Sequence, residues 1–184
     1  MYQSVCTTVS LADFFVIVAE AIMGRTANDY NSADPYNPNT LLGQFMTQFK
    51  YGRTTVATCS ATGLMPNPTD GCAGTNGLKN IFIDHIYKNT ADPWMMTAAI
   101  SGAHTLGSAS IDTSGFNGFW SSPAQQSKFN NDYYKSMANK GWGPELNVNG
   151  VTGKNQWKRI DGGNNPNQKE MMLDTDMCLM MQDN

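Results

Sequence analysis

Charge is scarce in this chain. Asp, Glu, Lys and Arg make up 15% of its 184 residues, and the net charge is −3. No cluster of Lys and Arg stands out, which argues against a partner held through nucleic-acid phosphates. No apolar run reaches the roughly 18 residues that suggest a membrane span. The first residues, Met1-Tyr-Gln-Ser-Val-Cys-Thr-Thr8, lack the basic and apolar blocks of a signal peptide. The expectation is a cytosolic chain, or a piece whose leader is not shown. Asn-x-Ser/Thr sequons are missing although Asn is abundant, which fits a non-glycosylated chain without excluding secretion. The cysteines, Cys6, Cys59, Cys72 and Cys178, fit no zinc spacing. Cys59 and Cys72 flank a loop rich in Gly, Pro and Asn and can close it as a disulfide in an oxidising compartment. Four unpaired thiols are the alternative. There is no internal repeat. What the chain does have is 40% hydrophobic residues, enough for a real core in one domain or one and a half.

Helical patterns dominate. Val9 to Met23 predicts a helix with Ser10 as its cap and Asp13 in the first turn, where the helix dipole favours a carboxylate. Its apolar residues run almost all the way round, so burial on most faces is expected, with Gly24 ending it. Arg25 to Asn39 is a polar loop, Thr40 to Phe49 a short helix or turn, and Lys50 to Val56 extended. Ala57 to Gly77 is loop again. Leu78 to Lys88 predicts a second helix with Leu78, Ile81, Phe82 and Ile86 on one stripe and His85 just off it. Phe129 to Asn139 is a further helix, with Phe129, Tyr133 and Met137 sharing a face. Gly141 to Gly163 is loop or short strand around Trp142 and Trp157, and Gln168 to Gln182 a last helical run. The fold expected is mostly α with long connecting loops, and long ordered loops often serve a bound group.

The stretch Ala98-Ala-Ile-Ser-Gly-Ala-His-Thr-Leu-Gly-Ser108 stands at the centre of this pattern. Asp92-Pro93 starts a helix there, with proline suited to the first turn. Gly102 and Gly107 bracket His104 and leave room beside it, because glycine has no Cβ. A lone histidine in an apolar segment is usually a satisfied core residue; a planar partner lying close to the backbone is the other reading.

Ile100-Ser-Gly-Ala-His-Thr-Leu-Gly107 resembles the proximal-histidine signature of the plant, fungal and bacterial haem peroxidase superfamily. Gly115-Phe-Asn-Gly-Phe-Trp120 resembles the proximal-tryptophan segment of the class with cytochrome c peroxidase and ascorbate peroxidase. Phe129-Asn-Asn-Asp-Tyr-Tyr134 resembles the aromatic helix that follows, and Met171-Met-Leu-Asp-Thr-Asp-Met-Cys-Leu179 the segment carrying the proximal aspartate, at Asp176. Val9-Ser-Leu-Ala-Asp13, Tyr51-Gly-Arg53 and Leu64-Met-Pro-Asn-Pro68 match further motifs in the same order. Each is weak alone; the ordered set, running over nearly the whole chain, is specific.

The resemblance implies a single, partial haem-peroxidase-like helical domain over residues 1–184, with haem b as cofactor and His104 as the iron ligand. Asp176 would take the proton-bearing side of the imidazole and Trp120 would lie against the pair, both in catalytic roles. Ser108, Ser110 and Pro66 fall at positions beside the haem; where the family often has a basic residue reaching a propionate, this chain has the two serines. Thr105 and Ser121 match a cation site for a monovalent ion or calcium, but Asn130 replaces its carboxylate. Asp13 and Arg53 are expected to form a buried structural ion pair. The implied activity is reduction of hydrogen peroxide with oxidation of an electron donor through a ferryl intermediate; the donor is not readable. Trp94, Trp142 and Trp157 serve either electron entry or anchoring.

The family's distal histidine and arginine precede the Val9 motif, and further helices follow the aspartate. The expectation is therefore a middle and proximal portion: a fragment, a chain whose distal half another chain supplies, or a fold put to a different use. A non-catalytic structural or assembly subunit is the alternative function. Proximal tryptophan is the intracellular pattern, whereas the cysteines and loops suit secretion.

Overall fold

The computed structural model describes residues 1–27, 44–58, 65–162 and 169–181. The chain divides into two compact units, Met1–Ser60 and Ala61–Asn184.

In the first unit, helix α1 spans Leu11–Thr26. Ser10 caps it, its side chain accepting from the Asp13 amide at 3.0 Å. The helix runs through Gly24, a residue that costs an interior helical position only about 1 kcal/mol. Asp13 pins residues 51–53 to this helix: Gly52 N donates to its Oδ2 at 2.8 Å and the Arg53 guanidinium to Oδ1 at 2.8 Å. The carboxylate is buried while the Arg53 side chain is 47% exposed, so the pair is half-buried rather than fully so. The expected burial of α1 on most faces does not hold. Asp13 is its one buried residue, and Phe15 and Ile22 are exposed, because the described segments of this unit cover one side of the helix. The helix or turn expected at Thr40 to Phe49 lies partly outside the described residues; 44–48 are helical.

The second unit opens with a loop and a π-type helix, Lys79–Ile86. Leu78 and Ile81 are buried as their stripe predicts, but Ile86 is 55% exposed. The Tyr87 amide reaches back five residues to Phe82 O, and this wider turn carries Ile86 off the stripe. Helix α2, Pro93–Ser101, follows, and runs into a 3-10 turn, Gly102–Thr105. Strand β1 (Ser108–Ala109) pairs antiparallel with β2 (Gly118–Phe119) around the short helix α3, Ile111–Ser114. Helix α4, Asp132–Asn139, begins three residues later than its sequence pattern suggests. A second sheet has the order β3-β4-β5, all antiparallel, from Trp142–Glu145, Gln156–Arg159 and Met171–Met172. Helix α5, Asp174–Met177, closes the described part.

Three expectations are corrected here. Among the described residues the chain is helical with two small sheets rather than mostly α, and the described part of the run expected from Gln168 to Gln182 is not one helix. Glu170 bridges Phe119, Met171–Met172 pairs with β4, and only Asp174–Met177 is helical. A short, continuously apolar run such as Met171-Met-Leu173 carries no period that separates strand from helix. The disulfide joins Cys72 to Cys178, Cα atoms 5.0 Å apart, which rules out both a Cys59–Cys72 bond and four free thiols. Cys59 itself lies outside the described residues, and Cys6 is an exposed thiol.

The core of this unit gathers Phe116, Trp120, Tyr133, Met137, Met171, Met172, Leu173 and Met177. Glycine is required at position 118: its φ is +136°, and a Cβ would run into the Lys169 carbonyl and the Met171 side chain. Glu170 is buried beside this core and is held by Lys140 and Arg159, at 2.9 and 3.2 Å. A buried carboxylate needs such neutralisation. Trp142 and Trp157 are anchors, donating to Met137 O at 3.2 Å and Asp174 Oδ1 at 2.6 Å.

Candidate functional site

His104 owes its position to α2. Asp92 Oδ1 caps that helix by accepting from Met95 N at 2.9 Å, and Pro93 occupies the first turn, where a missing N–H costs nothing. The 3-10 turn then swings His104 toward α5. Gly107 leaves the turn with φ +78°, its amide donating to Gln126 O at 2.8 Å. Gly102 does not leave open room: Tyr134 fills the space, its hydroxyl 3.2 Å from where a Cβ would stand.

Four segments converge on one carboxylate. Asp176 Oδ1 lies 2.8 Å from His104 Nδ1 and accepts from the Tyr133 hydroxyl at 2.8 Å. Oδ2 accepts from Trp120 Nε1 at 2.7 Å and from Leu173 N at 2.8 Å. The His104 and Trp120 rings stack, centroids 4.2 Å apart and 16° from parallel. Tyr133 meets His104 edge-on at 5.9 Å. Burial first, and the Asp176 charge second, push the Tyr133 phenol far above its ordinary value, so it remains a donor. Burial likewise raises Tyr134, with the same charge adding to it.

This cluster is asymmetric. The Asp176 side chain is 3% exposed and that of His104 38%. Nδ1 is directed at a carboxylate that can only accept, so Nδ1 is the donor in this contact and Nε2 is the nitrogen turned away from it. Nε2 has no hydrogen-bond partner among the described residues. The usual reading of a lone histidine, a satisfied core residue, therefore does not apply to His104. Ile100 and Met96, one and two turns before it, are exposed large apolar side chains, as is Met95. A part-exposed imidazole whose second nitrogen is unpaired among the described residues suits a group that carries a metal.

No family model matches the chain. Individual relatives do. A haem-binding peroxidase of Mycosarcoma maydis is 33% identical over 135 residues, 72% of this chain and 37% of that protein. Mitochondrial cytochrome c peroxidase of Neurospora crassa is 32% identical over 129 residues, 67% of this chain and 29% of the relative. A haem-binding peroxidase of Aspergillus fumigatus is 29% identical over 143 residues, 75% of this chain and 40% of the relative. The chain is related to haem peroxidases. It spans roughly a third of the length of these relatives.

The fit to haem is good at His104 and uneven elsewhere. Ser108 and Ser110 are exposed; Ser108 pairs with Phe119 in the small sheet and Ser110 precedes α3. Pro66 is half-buried in the loop that leads to Cys72, and Leu64 lies outside the described residues. Neither serine nor Pro66 joins the hydrogen bonds around Asp176. Thr105 and Ser121 are fully buried and come together, but their hydroxyls are already engaged with protein acceptors. Their hydroxyls are 3.2 Å apart, Thr105 donates to Asn130 Oδ1 at 3.2 Å, and Ser121 donates to Thr105 O at 3.0 Å. That neutral, hydrogen-bonded set is poor in the charge a hard cation prefers. Among the described residues, no three His, Cys, Asp or Glu side chains gather as a metal cluster. His85 is exposed on the π-type helix.

Sequence reasoning missed Tyr133. It assigned this residue to a helix face but not to Asp176. The available signal was a tyrosine at a core position, since a buried phenol needs a hydrogen-bond partner.

Proposed function

We propose that this chain is the haem-holding portion of a peroxidase, with His104 Nε2 as the iron ligand. The observation that carries this reading is the hydrogen bond from His104 Nδ1 to buried Asp176, made by a ring that is itself 38% exposed and whose Nε2 has no partner among the described residues. Bound haem supplies a redox-active iron at which hydrogen peroxide is reduced to water and an electron donor is oxidised. The chain's own residues do the positioning. Asp176 keeps the proton on Nδ1 and makes the imidazole a stronger electron donor through Nε2. Trp120 holds the other carboxylate oxygen and, stacked on His104, fixes the ring plane. Met96 and Ile100 offer apolar surface that would shield the macrocycle from water. Ser108, Ser110 and Pro66 are assigned to the edge of the same group.

Titration of the protein with haemin, read by absorption, tests this. A saturable Soret band is expected, lost in His104→Ala and shifted in Asp176→Ala. A protein that stays colourless, or a band untouched by His104→Ala, overturns the assignment. With the band in place, turnover of hydrogen peroxide with an aromatic donor separates the peroxidase reading from a haem protein without turnover.

A further inference from the structure

The Asp176 carboxylate is fully subscribed. A carboxylate oxygen offers about two lone-pair sites. Oδ2 gives both to Trp120 Nε1 and Leu173 N, and Oδ1 gives both to His104 and Tyr133. Two donors on one oxygen weaken each other, because each withdraws electron density that the other would draw on. Tyr133 is in a strong position in that competition. It is completely buried, its hydroxyl stands 2.8 Å from Oδ1, and α4 fixes it. α4 is itself tied to the Trp120 segment, since Asp132 Oδ2 accepts from both Ser122 N and Ser122 Oγ, at 2.8 and 2.7 Å. The phenol cannot turn to water and does not ionise in the ordinary range. Nothing in the packing of a core tyrosine requires its hydroxyl to choose the one oxygen that also receives the histidine.

We infer that Tyr133 is a positioning residue whose hydroxyl sets the strength of the His104–Asp176 hydrogen bond by sharing the acceptor Oδ1. It thereby limits how much electron density Asp176 passes through the ring to Nε2. The iron-ligand reading supplies the consequence of this tuning, but the tuning itself belongs to the protein without haem.

The test uses the whole chain with 15N-labelled histidine, free of haem, and follows the Nδ1 resonance of His104 through its ring protons. Tyr133→Phe removes one donor and keeps the ring. The His104 N–H should then bond Oδ1 more strongly, moving its proton and Nδ1 resonances downfield. Should Tyr133→Phe fail to fold, Tyr133→ring-fluorotyrosine keeps the shape and makes the phenol a stronger donor, so the same resonances should move upfield. Haemin supplies a second readout: the reduction potential of the bound iron should fall in Tyr133→Phe, a change that packing alone would not produce. Resonances that stay at their wild-type positions in the variants, whatever happens to the melting temperature, make Tyr133 a core filler and overturn the inference. Failure to bind haemin would instead overturn the iron-ligand reading, with the haem-free resonances still deciding the role of Tyr133.

Discussion

Asp176 illustrates how much a single residue can organise. Its two oxygens receive donors from the 3-10 turn, the residue after β2, α4 and the Leu173 amide, around a carboxylate that is 3% exposed. Asp176→Asn replaces an acceptor pair with one acceptor and one amide NH2, and that donor then faces two other donors. A buried donor left without a partner costs about 1–3 kcal/mol. Urea unfolding followed by Trp fluorescence should therefore show Asp176→Asn destabilised by at least about that amount. It should do so with or without haemin, because the penalty arises among the protein's own groups.

At the scale of elements, the joint between α1 and residues 51–53 rests on one carboxylate. The Arg53 guanidinium first, and the Gly52 amide second, hold Asp13 below the usual carboxylate range, against the opposing effect of burial. The unfolded chain then binds the proton more readily than the folded one, so stability rises with pH across this window. The contribution is complete above the unfolded value of about 3.9 and is lost as pH falls through the folded value. Circular dichroism of α1 against pH should show acid loosening below about pH 4 that flattens in Asp13→Asn, which has nothing to titrate there. This joint was legible in the chain: Asp13 and Arg53 fall where the resemblance places a structural pair, and Ser10 stands where the helix needs a cap. The exposure of Phe15 and Ile22 was not, because a helical pattern reports which residues are apolar and says nothing of what covers them.

Across the second unit as a whole, the Cys72–Cys178 disulfide connects residues 106 apart and joins the loop before the π-type helix to the turn after Asp176. The Thr175 amide reaches Pro68 O of the same loop at 3.4 Å. Closing a loop of about this length stabilises a fold by roughly 2–5 kcal/mol, mainly by restricting the unfolded chain. The Cys72→Ser, Cys178→Ser double variant should unfold at markedly lower urea than the oxidised protein and should match the wild type under reductant. Equal midpoints in oxidised and reduced wild type would mean that the cross-link carries no such constraint.

The sequence by itself determined the local features: the Asp92-Pro93 start of the helix before His104, the Ser10 cap, the apolar runs, and a set of motifs in an order that points to haem peroxidases. The helix start, the cap and the apolar runs depend on neighbours within a few residues, so composition and spacing report them; the ordered motifs speak only through the resemblance they carry. Only the tertiary structure decided which groups share Asp176, since its partners stand 43, 56 and 72 residues away along the chain. It also decided that Met171–Met172 is a strand, that Cys72 finds Cys178 rather than Cys59, and that the Thr105 and Ser121 hydroxyls donate to Asn130 Oδ1 and Thr105 O. Hydrogen bonds and cross-links between distant segments leave no period in a sequence. They are fixed by which buried polar groups would otherwise go unpaired, and that follows only once the core has closed around them.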